Sequence, residues 1–238
     1  MSDLGTWLPE LVVAVLASVL AITLHEAAHG YAALALGDDT AKRMGRLSLN
    51  PLRHVDPVGT LLLPGILLVG QLLATGRVQF MFGWAKPVPV DVLALRNPRQ
   101  GMMLVAAAGP AMNFALAWLA ALLVHPAENW GMLLSPDSLE IAYRFLALSI
   151  LANLVLGLFN LLPIPPLDGG RIVAGLLPRS LALPYMRLER WGILLVLFAV
   201  VILPQLSPGA DPVRWALGHV LPSALDLVLR LSGNGTGP

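Results

Sequence analysis

Five long apolar stretches restrict this chain to a membrane-embedded fold. Each reaches the roughly 20 residues that a helix needs to cross a bilayer, and the last four contain no charged residue. They cover residues 11–36, 57–76, 101–124, 145–167 and 191–210. The charged fraction of the chain is 12%, against about 25% in soluble domains, and the mean hydropathy is +0.75. We expect an all-α polytopic membrane protein with about five or six transmembrane helices.

Composition excludes several classes of site. The net charge of +1 gives no indication of nucleic acid binding, and the absence of cysteine excludes disulfides and thiolate metal sites. A metal ion would therefore need His, Asp or Glu ligands. Residues 1–9 contain no Lys or Arg, so they lack the basic region of a cleaved signal peptide and the first apolar stretch is expected to be retained. One domain over residues 1–238 is the expectation for this length.

The polar segment 77–99 differs from the apolar stretches on either side. Its aromatic and β-branched residues indicate one or two short strands. Pro87 and Pro89 would confine such a strand to the edge of a sheet. The fold prediction therefore includes a small membrane-associated β element.

Three ionisable residues interrupt the first apolar stretch in the pattern H-E-x-x-H. On a helix, His25 and His29 share one face, and both imidazoles can bind one Zn²⁺ with Glu26 beside them as general base. The alternatives are a surface helix with two histidines, or histidines held by hydrogen bonds in a core. Each ionisable group at membrane depth costs about 2.5–3.5 kcal/mol on insertion scales, so the membrane setting favours the metal site.

A third metal ligand has to come from elsewhere, because catalytic zinc usually has three protein ligands and one open position. Asp168 is the best candidate, since it directly follows the stretch 145–167 in a segment rich in proline and glycine. Prolines break the helix there, and glycines allow the backbone to approach a ligand closely. Asp in a turn at a helix end is the alternative and would be favoured for this residue alone. Next to an incomplete H-E-x-x-H motif, the ligand interpretation is preferred.

Three motifs together resemble the site-2 protease family of intramembrane metalloproteases. They are H-E-x-x-H at His25, G-P-A-M-N at Gly109 and the more distinctive N-x-x-P-x-P-x-L-D-G at Asn160. The resemblance implies a catalytic core over about residues 11–178, with additional C-terminal helices at about 186–231. The segments 50–57 and 83–87 look like the compact bacterial branch of the family, without appended PDZ or CBS domains.

The resemblance implies a chemistry for these motifs. One zinc ion per chain would be held by His25, His29 and Asp168, and Glu26 would be catalytic. Asn160 would position or polarise the scissile peptide, with an amide that can donate to the developing oxyanion; helix capping or packing is its other interpretation. The activity implied is hydrolysis of peptide bonds in transmembrane substrates, within or near the bilayer.

Four further residues are candidates for substrate contact: His54, Asn113, Trp84 and Lys86. Asn113 lies in an uncharged stretch where its amide needs a partner, and we prefer helix–helix association for it. For His54, a substrate contact, a transient metal ligand and a plain loop histidine all fit. Trp84 and Lys86 belong to the strand-like segment, to whose edge an unwound transmembrane substrate would add as a strand.

The two halves of the metal site constrain the topology. His29 and Asp168 both lie toward the C-terminal ends of their apolar stretches, so those two helices must end on the same side of the membrane. This condition holds if residues 57–76 form a re-entrant hairpin that turns at Pro64-Gly65. Basic residues occur in 37–99 and after Asp168 but not in 125–140, which predicts a cytoplasmic site and an outside N-terminus. We expect a multi-pass protein of the cell membrane.

Two other functions fit part of the pattern. One is a zinc-binding membrane protein without proteolysis, such as a transporter or a degenerate homologue; the other is a structural membrane protein whose H-E-x-x-H is coincidental. A transporter would be expected to show repeats or paired broken helices, and no clear pair is seen. Retention of Glu26 argues against a degenerate protease. The predicted partners are a transmembrane protein or peptide substrate and the lipid bilayer, with no nucleic acid.

Overall fold

The chain is a helical bundle in the computed structural model, which describes residues 4–76, 83–127, 133–198, 202–206 and 212–235. The α-helices are α1 (Leu4–Ala35), α2 (Thr40–Arg43), α3 (Leu63–Thr75), α4 (Pro98–Leu122), α5 (Val124–Ala127), α6 (Pro136–Asn160), α7 (Asp168–Leu176), α8 (Arg179–Met186), α9 (Gly192–Leu197), α10 (Leu203–Leu206) and α11 (Pro212–Leu231). A π-helical segment (Pro57–Leu62) leads into α3, and 3-10 turns lie at Pro51–His54 and Arg187–Trp191.

Three helices in the described ranges are long and apolar enough to cross a membrane. They are Pro9–Ala35 within α1, the whole of α4 and the whole of α6, and each of them packs against the other two. The expected all-α fold is thus confirmed for the described residues, with three helices able to span a membrane. Of the stretch 191–210, the structure describes only part, and α11 carries several charged residues. A total of five or six spans therefore stays a prediction.

Local sequence sets where several helical segments begin. Asn50, Asp56, Asn97 and Ser135 each stand before a proline, and each side chain accepts a hydrogen bond from a backbone N–H two or three residues later. Such side chains satisfy N–H groups that have no partner in the first helical turn. Proline suits the first helical position because it has no N–H to satisfy. The starts of α4 and α6 are both fixed in this way.

Small residues allow the three long helices to pack closely. The buried apolar residues of α1 are Val13 and five alanines, and α4 buries several further alanines together with Gly109. Small side chains let helix backbones approach each other in a membrane protein. At the far end of α4, Ala117 and Ala121 form a second cluster with Leu154 of α6 and Val228 of α11. The bundle core therefore has an alanine-rich part around α1 and a leucine-containing part near α11.

Residues 37–97 leave the bundle and return to the same end of it. The backbone N–H of Arg96 donates to the Leu36 backbone oxygen at 3.0 Å, and Leu95 packs with Ala33 and Val105. The end of α1 therefore lies beside the start of α4, and these helices are antiparallel. Because α6 runs back in the direction of α1, the residue that starts α7 reaches the same end of the bundle as His29.

The predicted turn at Pro64-Gly65 is wrong. Residues 57–75 are helical throughout, and Pro64 occupies the first turn of α3, directly after π-helical turns that are wider than α-helical ones. A proline in a first turn interrupts no hydrogen bond, so it does not force a hairpin. The chain nevertheless returns to the start of this helical segment, because the N–H of Trp84 donates to the Gly59 backbone oxygen at 3.2 Å.

The predicted β element is not formed by the described part of its segment. Residues 77–82 lie outside the described residues, and residues 83–97 contain no strand. Residues 84–91, here named the strap, lie against α1 in irregular conformation. The N–H of Lys86 donates to the His54 backbone oxygen at 2.8 Å. Because Pro87 and Pro89 have no N–H, the strap offers no continuous row of donors for a neighbouring strand.

Asp38 anchors one end of the strap. Its side chain is buried, and its carboxylate accepts hydrogen bonds from the N–H of Thr40 at 2.9 Å and of Asp91 at 2.7 Å. Burial alone would raise the pKa of Asp38, but the hydrogen bonds to Thr40 and Asp91 lower it overall. The ionised carboxylate therefore ties α1 to the segment that leads into α4.

Replacing Asp38 with alanine should lower the thermal stability of the protein in detergent. The change removes the charged acceptor of two partly buried hydrogen bonds, and a hydrogen bond to a charged group contributes about 1.5–3 kcal/mol. Asp38→Asn keeps one acceptor oxygen and should lose less. Because the pKa of Asp38 is lowered in the folded state, its stabilisation is present above the ordinary carboxyl pKa and is lost as pH falls through the folded value. Equal melting temperatures for the three proteins would contradict this role.

Candidate metal centre

His25 and His29 lie one turn apart on α1 and point at the same position. Their Nε2 atoms are 3.1 Å apart. The Oδ2 atom of Asp168, in the first turn of α7, lies 3.2 Å from Nε2 of His25 and 3.3 Å from Nε2 of His29. All three side chains are nearly inaccessible to solvent. The structure thus brings together the three residues that the sequence proposes as metal ligands.

The other nitrogen of each imidazole is bound to α4. Nδ1 of His25 lies 2.6 Å from Oδ1 of Asn113, and Nδ1 of His29 lies 2.7 Å from the backbone oxygen of Val105. Both partners are acceptors, so each imidazole donates from Nδ1. In the neutral ring, the opposite nitrogen then carries a lone pair. Both Nε2 atoms therefore present a lone pair to the shared position.

Three lone pairs converge at this position without a hydrogen between them. With the ring hydrogens on Nδ1, neither Nε2 atom can donate to the other or to Asp168. The Oδ2 atom of Asp168 is buried and has no hydrogen-bond partner. A divalent cation bound to all three atoms satisfies them together. Two imidazoles and one carboxylate form a donor set typical of catalytic zinc, so these residues fit a zinc ion.

Asp168 is suited to be the anionic ligand. Burial alone would raise its pKa, but the neighbouring imidazoles of His25 and His29 outweigh this effect and lower the pKa of Asp168 to about 2. The carboxyl group is therefore ionised at neutral pH. A side chain at Gly169, the next residue, would collide with backbone oxygens at the end of α6. Glycine at this position lets α7 begin close enough for Asp168 to reach the histidines.

Gly109 allows α4 to approach the two histidines. A Cβ atom at this position would lie 2.5 Å from the ring of His29 and 2.6 Å from that of His25, well inside van der Waals contact. Gly109 lies one helical turn after Val105, so its missing side chain also leaves the Val105 carbonyl accessible to His29. The G-P-A-M-N motif thus provides both the space for the imidazoles and, through Asn113, a hydrogen bond to one of them.

Glu26 follows the first histidine on α1 and is partly accessible. Its Oε2 atom accepts a hydrogen bond from the backbone N–H of Val88 at 3.0 Å. Val88 belongs to the strap, and its side chain packs over Gly30 on α1. The strap therefore reaches the H-E-x-x-H motif directly and fixes one oxygen of the Glu26 carboxylate.

Known proteins are similar to this chain over most of its length. The family model described as "Peptidase family M50" matches residues 132–203. A protein of Bacillus subtilis (strain 168), named "Putative zinc metalloprotease YwhC", is 39% identical over 206 residues, which cover 84% of this chain and 88% of the relative. The chain belongs to peptidase family M50. This membership confirms the resemblance to site-2 proteases, and the enzyme class is that of a metalloendopeptidase.

Longer relatives of this M50 peptidase occur in mycobacteria. The protein named "Putative zinc metalloprotease Rip2" in Mycolicibacterium smegmatis is 33% identical over 193 residues, covering 79% of this chain and 66% of the relative. The protein of the same name in Mycobacterium tuberculosis strain H37Rv is 33% identical over 158 residues, and the match covers 63% of this chain and 52% of the relative. The chain thus spans about two thirds and about half of these relatives. No solved structure matches.

Two predicted site residues of this M50 peptidase, Asn160 and Asn113, form side-chain hydrogen bonds within the helical bundle. Asn160 ends α6, and its amide N–H donates to the Leu156 backbone oxygen of the same helix at 3.0 Å. Asn113 is fully buried and binds His25, so it contacts a candidate ligand instead of lying open to a substrate. The catalytic role of Asn160 and the substrate contact of Asn113 stay predictions.

The remaining candidates for substrate contact lie around the strap. His54 is buried, and its backbone oxygen accepts from Lys86 of the strap. Its Nε2 bonds to the Ser48 backbone oxygen at 2.9 Å, and its Nδ1 has no partner. Trp84 packs against Gly59 at the start of the π-helical segment. The Lys86 side chain is exposed. Their substrate contacts stay predictions.

Sequence reasoning missed three groups at this site. They are the Val105 carbonyl, the Val88 N–H and the side chain of Asn153, which accepts a hydrogen bond from Asn113 at 2.8 Å. Backbone groups leave no signal in a sequence. Asn153 does leave one, because an amide within an uncharged transmembrane stretch needs a polar partner, and the same argument was available for Asn113.

Removing any one of the three ligands should empty the metal site. Purified wild-type protein is expected to contain about one zinc ion per chain, and His25→Ala, His29→Ala and Asp168→Ala should contain almost none, because two ligands hold zinc weakly. Elemental analysis after gel filtration measures this. His219→Ala, which changes a histidine on α11, is the matched control and should keep its zinc. Full zinc content in Asp168→Ala would refute the assignment of the third ligand.

Proposed function

We propose that this chain is an intramembrane zinc metalloendopeptidase that hydrolyses peptide bonds of transmembrane proteins within or near the bilayer. The convergence of three ligand lone pairs inside a bundle of membrane-length helices supports this proposal most directly. The printed names of the relatives, which are zinc metalloproteases, support zinc as the metal. When bound, zinc acts as a Lewis acid that lowers the pKa of water and polarises the scissile carbonyl.

Glu26 acts as the general base in the proposed reaction. It takes a proton from the attacking water and returns it to the leaving amine nitrogen. Its place beside His25 brings it next to the site, and its partial exposure leaves it accessible to water. The Val88 N–H binds one carboxylate oxygen, which orients the group and leaves the second oxygen for the water molecule.

Asn160 donates a hydrogen bond to the oxyanion that develops on the scissile carbonyl. Asn160 ends α6, and the short connection 161–167 joins it to Asp168 at the start of α7, which supports a place near the substrate. In the present structure its amide donates to the Leu156 oxygen. The proposed role therefore requires the side chain to exchange this intrahelical bond for one to the substrate.

The substrate binds as an unwound segment along the strap. A peptide bond in a helix is shielded by its own hydrogen bonds, so a transmembrane substrate must become extended before hydrolysis. The strap contacts Glu26 through Val88, and Trp84 and Lys86 lie on it. His54, whose backbone oxygen accepts from Lys86 of the strap, adds an unpaired Nδ1 atom.

We propose that the protein lies in the cell membrane with its metal site toward the cytoplasm and its N-terminus outside. The proposed total is five or six spans, and the proposed topology has the chain at residues 57 and 84 on the same side of the membrane. The supporting observation is that the segment 37–97 begins and ends at the same end of the bundle as Asp168. Residues 37–97 contain seven Lys and Arg residues, and Arg99 in the first turn of α4 is the eighth; cytoplasmic segments tend to be basic in this way.

Replacing Glu26 with glutamine should abolish proteolysis and leave zinc binding intact. Loss of a general base lowers the rate by about 10²–10⁴-fold, whereas the ligand set is unchanged. Cleavage of tagged single-span membrane proteins, screened in membranes that contain the wild type or the variant, measures the effect. Glu10→Gln, the same change near the other end of α1, is the control. Zinc-loaded wild type that cleaves no membrane protein would favour a zinc-binding protein without proteolysis.

Single cysteines should report the proposed orientation, since the chain contains no native cysteine. Leu93 and Leu133 are both highly exposed and lie toward opposite ends of the bundle. A membrane-impermeant maleimide added to intact cells should label Leu133→Cys and spare Leu93→Cys, because the latter faces the cytoplasm. Opened membranes should allow labelling of both. The reverse pattern in intact cells would invert the orientation, and labelling of both would remove the proposed sidedness.

A further inference from the structure

The amide of Asn113 can serve the metal site in only one of its two orientations. With Oδ1 toward His25, the amide accepts from the imidazole at 2.6 Å and the Nε2 lone pair faces the metal position. With the amide reversed, Nδ2 would face Nδ1 of His25, and the ring hydrogen would have to move to Nε2. That tautomer has its lone pair on Nδ1 and none on Nε2, the atom that faces the metal position. The orientation of one buried amide therefore decides whether His25 is a ligand.

A second asparagine fixes this orientation. The Nδ2 group of Asn113 donates to Oδ1 of Asn153 at 2.8 Å, and the backbone oxygen of Ala21 lies 3.4 Å from the same nitrogen. The Nδ2 group of Asn153 in turn donates to the backbone oxygen of Ser149 at 2.9 Å. Asn113 and Asn153 are both buried, so water does not replace these partners.

The direction of this chain of hydrogen bonds is set by a backbone carbonyl. Two facing asparagines can pair in either sense, since each carries a donor and an acceptor. The Ser149 carbonyl can only accept, so it binds Nδ2 of Asn153 and turns Oδ1 of Asn153 toward Asn113. Nδ2 of Asn113 then faces Asn153, and its Oδ1 faces His25. Simple adhesion between α4 and α6 would not require this polarity.

We propose that Asn153 is a positioning residue for the metal centre. With Asn113 it forms an amide relay, running from the Ser149 carbonyl on α6 through α4 to His25 on α1, that holds the His25 imidazole in its metal-binding tautomer. This inference rests on the proposed ligand set and concerns the affinity for zinc, not the role of Glu26. Groups that orient a ligand from behind typically change metal affinity by about 10–100-fold when removed.

Zinc affinity of the purified full-length protein, measured by competition with a chromophoric chelator, tests the relay. Asn153→Leu removes the acceptor for Asn113 and should weaken zinc binding about 10–100-fold. Ser149→Ala is the matched control: it changes the same buried region but keeps the backbone oxygen that the relay uses, so its affinity should equal that of the wild type. Wild-type affinity in Asn153→Leu would overturn the proposal.

A double-mutant cycle separates orientation from packing. In Asn113→Asp, either carboxylate oxygen can accept from His25, so the side chain needs no orientation. The further change Asn153→Leu should then leave zinc affinity unchanged, although it weakens binding in the Asn113 background. The same loss in both backgrounds would assign Asn153 a packing role and refute the relay, because independent effects add.

Two further comparisons keep the test decisive. If Asn153→Leu does not fold, as judged by its helical circular dichroism, Asn153→Ala and Asn153→Asp replace it. The alanine variant should lose affinity, and the aspartic acid variant, which keeps an acceptor for Asn113, should retain it; equal affinities would refute the relay. A wild-type protein that binds no zinc, or a His25→Ala variant that keeps it, would instead refute the proposed ligand set.

Discussion

The site depends on hydrogen bonds made behind the two histidines. Asn113 accepts a hydrogen bond from Nδ1 of His25, and the Val105 carbonyl accepts one from Nδ1 of His29. Each Nε2 atom is therefore left with a lone pair that faces Asp168. These contacts require α4 to lie almost against α1, which the missing side chain of Gly109 permits. The alanine-rich packing of the bundle and the metal chemistry are therefore consequences of the same close approach.

Part of this arrangement could be predicted from the sequence. The pattern around His25 and the aspartate that follows the later apolar stretch identified three residues that the structure brings within 3.3 Å of one another. The identification was possible because ionisable groups are expensive in an apolar setting and because metal geometry restricts which of them can meet. Family membership came from the same motifs, and the comparison with known proteins confirms it.

Other features could not be predicted, for physical reasons that differ between residues. Pro64 was interpreted as a turn residue, yet proline is equally suited to the first turn of a helix, and only the following residues decide between them. The β-branched residues of the strap suggested a strand, but the N–H of Val88 donates to the Glu26 side chain. Asn153 acts through Asn113, and its partner lies on another helix, where sequence spacing carries no information.

The hydrogen bonds that join α1, α4 and α6 also limit how a substrate can enter. Asn113 contacts His25 on one side and Asn153 on the other, so separating any of these helices would break the contacts that orient the ligands. The bonds that orient the ligands therefore also hold the three helices together as one unit. Under the proposed function, a lateral gate for a membrane-embedded substrate would have to open elsewhere, and in the described residues α3 packs mainly on the π-helical segment that leads into it.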